Sequence, residues 1–508
     1  MKKEYYLYIL AILLNSLLFA LQLSYQQPFN VDGILYLRAA TVFLQHGFTA
    51  SLKIYSWPLY STLIALIKQI THLTLLQAAY ILNFIFINII LIFTIKISQQ
   101  LKFNLKLQFF SILVLFSLSY YSHYMHHLLR GYGYYSMNLI ALYYFLIASD
   151  KRSLLACMLF FVFSCLGFLF RVEGIFYIVL LPLTVLFFTN YSYQQKIQLV
   201  LKFYLLPILI LIVGIIILLI DKNIHNYLGR FNNIIKDLLK PTIIWHNFII
   251  LEEKFAQLLT YKSLSDSRFI IFVSIPILVL KYFIVSFGSY GSYFIILCYS
   301  FITFKKQQIK IQYNHYIILL SYALINWLFA SLFFYKSLFL VDRYLAFAFF
   351  ILLFPLIPAI EYAYITHKNS FKNQLLFYLL LLLLLYNFVA AIGHFGPSKK
   401  YQILAGKWIT NNLQPISQVY FDKNSLQIKY FASANLLSQN YPKGENPYER
   451  LRNANLTHYN YIIILIMKHK YDTTLQTYKK LLFNFHIIKI FHNKRDDKVI
   501  IFANNIIN

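Results

Sequence analysis

The sequence predicts a polytopic α-helical membrane protein of about eleven transmembrane helices, ending in a small C-terminal α/β domain. Three observations predict it. Sixty per cent of the 508 residues are hydrophobic and only 12% are charged, with a mean hydropathy of +0.62; a soluble domain is about a quarter charged and could not hide that much apolar surface. Charge-free runs such as 203–220 and 375–391 are long enough, as helix, to cross a ~30 Å hydrocarbon core. After Gly396-Pro397 the chain changes to alternating mixed segments that suit a water-facing domain.

The candidate spans are 5–23, 76–97, 108–122, 134–149, 154–170, 174–190, 199–220, 283–303, 315–335, 344–364 and 374–392. With the Lys2-Lys3 end cytoplasmic, the even-numbered connections face the cytoplasm. Each carries at least two positive residues: Lys102 and Lys106, Lys151 and Arg152, Lys196 and Lys202, Lys305, Lys306 and Lys310, and Lys368 and Lys372. That satisfies the positive-inside rule. No small-x-small cleavage site follows the first apolar run, so it reads as an uncleaved span. The region 269–303 is interrupted by Lys281 and by Gly288 and Gly291; one interfacial helix followed by the span 283–303 keeps the topology consistent. Residues 1–396 then form the transmembrane domain of an inner-membrane protein, and the loop 24–75 and the domain 397–508 lie outside the cytoplasm.

The first outer loop carries apolar residues at helical spacing over 32–46 and 57–70, with Pro58 in a first-turn position, so it reads as two amphipathic helices on the membrane surface. In the C-terminal domain, 403–413, 425–433 and 473–483 read as helices and 418–421, 459–467, 487–491 and 498–503 as strands. Strands alternating with helices indicate a small α/β unit.

The formal charge of +28 would point to nucleic acid in a soluble protein. Here most Lys and Arg flank apolar spans, where lipid headgroups are the nearer anions, so nucleic acid is excluded and the bilayer is the partner. The three cysteines, Cys157, Cys165 and Cys298, sit in or beside apolar runs and give neither a disulfide framework nor metal-ligand spacing.

Ionised groups near hydrocarbon are costly, so the few carboxylates are informative. Glu4, Asp150 and Glu361 fall on the cytoplasmic side; Asp32, Glu173, Asp221, Asp237, Glu252, Glu253, Asp266 and Asp342 fall on the outer side. Carboxylate chemistry in the membrane domain is therefore most easily built at the outer face. Asp32 opens the first amphipathic helix, where local sequence reads it as an N-cap. The functional reading is a carboxylate at the lipid–water boundary, poised to take a proton from an acceptor hydroxyl or amine.

The stretch Asp32-Gly33-x-x-Tyr36-Leu37-x-x-Ala40, followed by a second surface helix opening Trp57-Pro58-Leu59-Tyr60, resembles the first loop of the GT-C glycosyltransferases. It is most similar in kind to the bacterial relatives of protein O-mannosyltransferases and of the aminoarabinose transferase that modifies lipid A. Two further elements resemble that superfamily: Arg171-x-Glu173-Gly174 between two spans at the outer face, and Asp342-Arg343-Tyr344 before a helix containing Pro355 and Pro358. The segment Gly406-Lys407-Trp408 is similar to the start of the soluble domain many of these enzymes carry. The likeness covers most of the chain in arrangement, through motifs that are each short.

The resemblance implies an inverting transfer of a sugar from a polyprenyl-phosphate carrier to an acceptor lipid, glycan or protein outside the cytoplasm. It makes Asp32 the general base or acceptor-orienting carboxylate. The family's second acidic residue in the same loop has no counterpart, since none lies between Asp32 and Asp150; Glu173 is the candidate to fill that role. The lipid-phosphate leaving group calls for fixed cations, for which Arg343, Arg171 and Arg130 stand at outer span ends. Snorkelling anchors are the plainer reading of such arginines, and Arg171 and Glu173 are close enough in sequence to pair. Tyr36, Trp57, Tyr60 and Tyr344 are the candidate substrate-lining rings. No cofactor is called for, and a divalent metal, though compatible with the chemistry, has no ligand set pointing to it.

The tract 120–135 is rich in Tyr and contains His123, His126 and His127. It reads as an aromatic interface belt, with some rings available as a sugar-stacking wall. Asn455-Leu456-Thr457 matches an N-glycosylation triplet by chance. Two other classes fit the composition. A transporter or flippase of lipid-linked substrates would place ionisable residues at mid-membrane and show repeated halves, and neither is evident. An O-antigen polymerase or ligase would use a large late outer loop such as 221–268.

Overall fold

The structure is a computed structural model that describes residues 2–220, 242–257, 264–286, 292–303, 311–337, 342–393, 398–413, 418–433, 459–468, 475–476, 478 and 480–505. The 455–457 triplet lies outside these residues, as do parts of the loop 221–268 and of the helix expected over 473–483.

The chain begins with α1 (Lys2–Ser24), followed by α2 (Val31–Ile54) and α3 (Leu59–Thr71) in the first loop. Gly47, at φ +79°, breaks α2 into two helical segments, a conformation that glycine adopts without steric cost. Both loop helices bury one face, α3 through Tyr60, Ser61, Ile64 and Ala65. Next come α4 (Leu75–Gln100), α5 (Leu105–Phe116), α6 (Ser119–Ser122), α7 (Arg130–Lys151) and α8 (Leu154–Phe170). Their starts are written locally: Thr74 and Gln77 form a capping box for α4, and Asn104 and Ser153 cap α5 and α8. Then follow α9 (Gly174–Leu180), α10 (Tyr193–Ile220), α11 (Thr242–Ala256), α12 (Leu264–Ser286), α13 (Ser292–Thr303), α14 (Tyr313–Ser337), α15 (Ala346–Thr366) and α16 (Phe371–Ile392).

Among the described residues six helices are long and apolar enough to cross a membrane, and shorter apolar helices accompany them. Two expected spans are divided. The helix expected over 108–122 stops at Phe116, where the Ser117 hydroxyl bonds the Val114 carbonyl at 2.7 Å and competes with the helical ladder. That expected over 174–190 changes from α9 to a 3₁₀ turn at Leu181–Phe187, where Pro182 supplies no N–H. Of the stretch expected at 283–303, residues 283–286 end α12 and 292–303 form α13, and 287–291 lie outside the described residues. Helix α15 is the central post, with 89% of its apolar stretch buried against 11% for α10.

The C-terminal domain comprises α17 (Lys400–Asn412), β1 (Val419–Phe421), α18 (Leu426–Phe431), β2 (Tyr461–Ile466), β3 (Phe485–His492) and β4 (Lys498–Asn504). The sheet order is β1-β2-β4-β3, with β1 parallel to β2 and the other pairs antiparallel; Val419 pairs with Tyr461, and Ile464 with Ile500. Strand β2 is an unbroken apolar run because both its faces are covered. Ile463 and Leu465 pack with Ala405, Ile409 and Ile428 on one side, and Ile462, Ile464 and Ile466 pack with Tyr478 and Leu482 on the other.

Contacts sort the helix ends into two sets. At one end Tyr8 donates to Gln99 (3.2 Å), and Gln100 and His315 meet Asp150 (2.6 and 2.7 Å). At the other, Gln22 donates to the Ile392 carbonyl (2.9 Å), the Leu128 N–H to Asn30 Oδ1 (2.8 Å) and Arg130 to the Phe170 carbonyl (3.1 Å). The C-terminal domain sits on this second end, where Gln427 donates to the Phe29 carbonyl at 2.5 Å and Phe29 meets the rings of Tyr430 and Phe431.

Candidate active site

Helix α2 starts after Asn30, which stands at the N-cap position but makes no side-chain cap bond. Its Oδ1 accepts from Leu128 instead, tying the loop to the Tyr-rich tract. Gly33 permits that approach, since a Cβ there would lie 2.9 Å from Leu128 Cβ and 2.8 Å from the Phe29 ring. Asp32 is thus not the N-cap. It occupies the first turn, where the helix dipole favours an anion, and its Oδ2 accepts from Arg343 Nη1 at 2.5 Å. Both side chains keep contact with solvent, at 42% and 37% exposure.

Arg343 lies in a 3₁₀ turn, Asp342–Tyr344, that leads into α15. Tyr135 on α7 fixes this turn by donating to the Arg343 carbonyl at 3.1 Å. Burial opposes a charge on Arg343, and the adjacent Asp32 more than offsets it, so the guanidinium is held above its ordinary range.

Behind this pair lies a buried one. Arg171, at the end of α8, donates through Nε (3.1 Å) and Nη2 (2.5 Å) to Glu173 Oε1, and both residues are 5% exposed. Burial alone would lift the Glu173 carboxyl; Arg171 overrides it and holds the carboxyl below its usual range, while the same pairing raises Arg171. The guanidinium also lies 4.8 Å from the Tyr344 ring centre and 5.7 Å from that of Tyr134. Gly174 makes the turn possible, because a Cβ there would come within 2.7 Å of the Phe168 backbone nitrogen.

Arg130 completes the cluster. It bonds the Phe170 carbonyl, lies 5.6 Å from the Tyr55 ring centre, and its charge reaches both Glu173 and Tyr36. Burial raises the Tyr36 hydroxyl well above its ordinary value, and Arg130 offsets part of that shift. Among the described side chains, the cluster brings Arg130, Arg171 and Arg343 together with Asp32 and Glu173.

The candidate rings are placed differently from one another. Tyr344 is partly exposed, stacked on Phe333 at 4.3 Å, and carries Arg171 on its face. Tyr36 packs edge-on against Tyr55 and Tyr60. Tyr60 is buried and donates to Asn83 Oδ1 at 2.6 Å; Trp57 is buried against Phe168. Most of the tract 120–135 is likewise core: Tyr121, Tyr132, Tyr134 and Tyr135 are buried, as is His126. Sequence reasoning did not single out Tyr55, Tyr134 or Tyr135 as site residues. The density of tyrosines around Arg130 was the available signal, but spacing did not show which rings meet which arginine. Among the described residues, no group of three or more His, Cys, Asp or Glu side chains is arranged to hold a metal ion.

No protein-family model and no curated protein matches the sequence. Solved structures do match the fold. The crystal structure of ArnT from Cupriavidus metallidurans bound to undecaprenyl phosphate is 11% identical, with a TM-score of 0.56 over 98% of this chain and 97% of that one. The same protein in its apo state gives 0.51 at 11% identity over 99% and 98%. An oligosaccharyltransferase from Archaeoglobus fulgidus, tethered to an acceptor peptide, gives 0.50 at 11% identity over 98% of this chain and 74% of that one. Over nearly its whole length this helical membrane protein shares the GT-C fold of these structures; six helices of membrane-crossing length among the described residues, with shorter apolar helices beside them, stand where about eleven spans were expected.

Proposed function

We propose that the protein is a glycosyltransferase that moves a sugar from a polyprenyl-phosphate donor to an acceptor hydroxyl or amine outside the cytoplasm. The observation that carries this reading is the meeting of Asp32 with Arg343 across 311 residues of chain, at the end of a GT-C bundle that bears the C-terminal domain. The undecaprenyl phosphate bound to ArnT supports a lipid-phosphate donor.

In this reading the acceptor oxygen or nitrogen attacks the anomeric carbon from the face opposite the phosphate. The new bond to C1 forms as the C1–O bond to the phosphate breaks, and Asp32 takes the acceptor proton or orients the acceptor. The departing phosphate gathers negative charge where Arg343 can bind it. A guanidinium has five N–H donors in a planar fork, and Nη1 is the one used on Asp32. Its other N–H groups would then reach the phosphate while Nη1 stays on the carboxylate, placing one cation between leaving group and base. Arg130 adds positive potential beside Tyr36, and Arg171 with Glu173 supports Tyr344 from behind. Glu173 would act on the site through Arg171.

The test is transfer in membranes or detergent with a polyprenyl-phosphate sugar. Asp32→Asn should lower turnover by at least about a hundredfold while leaving donor binding nearly intact. Arg343→Ala should weaken donor binding by about tenfold or more. Full activity in the first variant or unchanged donor affinity in the second would overturn the corresponding role.

A further inference from the structure

Helix α5 starts just after Gln100, one of the residues that meet Asp150 at the end of the bundle remote from Asp32 and Arg343. From there a groove runs between α5, α15 and α16. Lys106 and Glu361 line its mouth and Ser117 and Phe388 its far end, with Phe110 and Leu384 common to both parts. From Lys106 to Ser117 it extends about 16 Å, at about 1.5 Å per helical residue. That is close to the ~15 Å that one leaflet contributes to the hydrocarbon core. The charged residues of the lining, Lys106 and Glu361, both stand at the mouth. Lys106 Nζ lies 3.8 Å from the centre of the Tyr364 ring, one turn along α15 from Glu361. An ammonium over a ring keeps N–H groups for an anion, and a carboxylate keeps several acceptor positions for a cation. Helix α16, which forms one wall, is loosely covered: 17% of its apolar stretch is buried, against 89% for α15.

Apolar walls over the depth of one leaflet fit a hydrocarbon chain, and a cation beside an anion at the mouth fits a headgroup that carries both charges. Phosphate oxygens can accept from Lys106 while a primary ammonium donates to Glu361. A trimethylammonium has no N–H to donate, and a glycerol headgroup has no cation. We propose that this groove binds phosphatidylethanolamine, with one acyl chain lying between α5 and α16 and the headgroup bridging Lys106 and Glu361. The bound lipid holds α16 against α5 and α15, and so steadies the helix that leads through Ile392 to the C-terminal domain. Its headgroup lies at the end of the bundle opposite the Asp32–Arg343 pair, which makes this site distinct from the one described above.

The experiment uses the full chain, stripped of lipid in a neutral detergent. Thermal unfolding is followed as phosphatidylethanolamine, phosphatidylcholine or phosphatidylglycerol is added, all three with the same acyl chains. The expected result is a saturable rise in Tm, with phosphatidylethanolamine half-saturating at a concentration about tenfold or more below the other two, as for a charged hydrogen bond. Lys106→Gln should weaken the response to phosphatidylethanolamine by about tenfold, and Glu361→Gln should bring it to the level of phosphatidylcholine. Leu384→Trp, which fills the groove and leaves both charges in place, should abolish the response. Lys53→Gln, in the first loop, should retain it. Equal responses to the three lipids, a preference for either of the other two, or no saturable response overturns the proposal. So does a preference for phosphatidylethanolamine that is unchanged in both Gln variants. Should Glu361→Gln fail to fold, Lys106→Gln and Leu384→Trp carry the same test.

Discussion

Replacing Glu173 by Leu should be among the most destabilising single changes near the site. Arg171 and Glu173 are both 5% exposed, joined through Nε at 3.1 Å and Nη2 at 2.5 Å. Removing the carboxylate strands a guanidinium that cannot discharge, and breaking a buried pair of this kind costs about 3–5 kcal/mol. The rings of Tyr344 and Tyr134 remain as partial partners, worth about 0.5–2 kcal/mol, which places the expected loss near the lower bound. Arg171→Met should cost a similar amount at neutral pH. Its cost should shrink in acid, because the stranded Glu173 can take up a proton where Arg171 cannot. The double variant Arg171→Met/Glu173→Leu buries no charge and should recover most of the loss, giving a coupling energy of about 2 kcal/mol or more. The assay is equilibrium unfolding of the purified chain in mixed micelles of rising SDS fraction, read by circular dichroism. Single variants within about 0.5 kcal/mol of the parent, or a double variant as unstable as the sum of the singles, would refute the reasoning.

Two further outcomes are expected. Gly174→Ala puts a Cβ within 2.7 Å of the Phe168 nitrogen and 2.8 Å of its Cα, where backbone cannot yield cheaply, and should cost about 1–3 kcal/mol in the same assay; Gly214→Ala, with nothing within 4 Å, should be nearly neutral. Burial first, and the Arg38 charge second, push Lys429 down to about 8 from 10.5. The folded chain then binds fewer protons than the unfolded one between those values. The contribution of Lys429 to stability should therefore rise with pH above about 8, while buried tyrosines such as Tyr36, held above their ordinary range, act in the opposite direction near pH 10. The measurement is thus a difference: in thermal unfolding the parent should gain on Lys429→Met as pH rises from about 8 to 9.

The candidate site was legible in the sequence to the extent that its chemistry is local. The pairing of Arg171 with Glu173 was one of the readings their two-residue spacing allowed. Asp32 stood out because acidic residues are so few beside the first span. That Arg343 is the partner of Asp32 was not legible, since no local pattern links positions 311 residues apart. The Tyr-rich tract misled for a related reason. Its composition suits a membrane interface, but α7 lies deep in the bundle, so Tyr132, Tyr134 and Tyr135 became core and three-dimensional support for the arginines.

By itself the sequence determined the membrane class, the two helices of the first loop and the strand pattern of the C-terminal sheet. Hydrophobic run length and periodicity are properties of a chain before it packs. Tertiary structure decided which ends of α2, α8 and α15 converge, and with them the division into an Asp32–Arg343 pair half open to water and an Arg171–Glu173 pair closed off from it. Burial sets the energy of a charge, and burial exists only once helices distant in sequence have packed together.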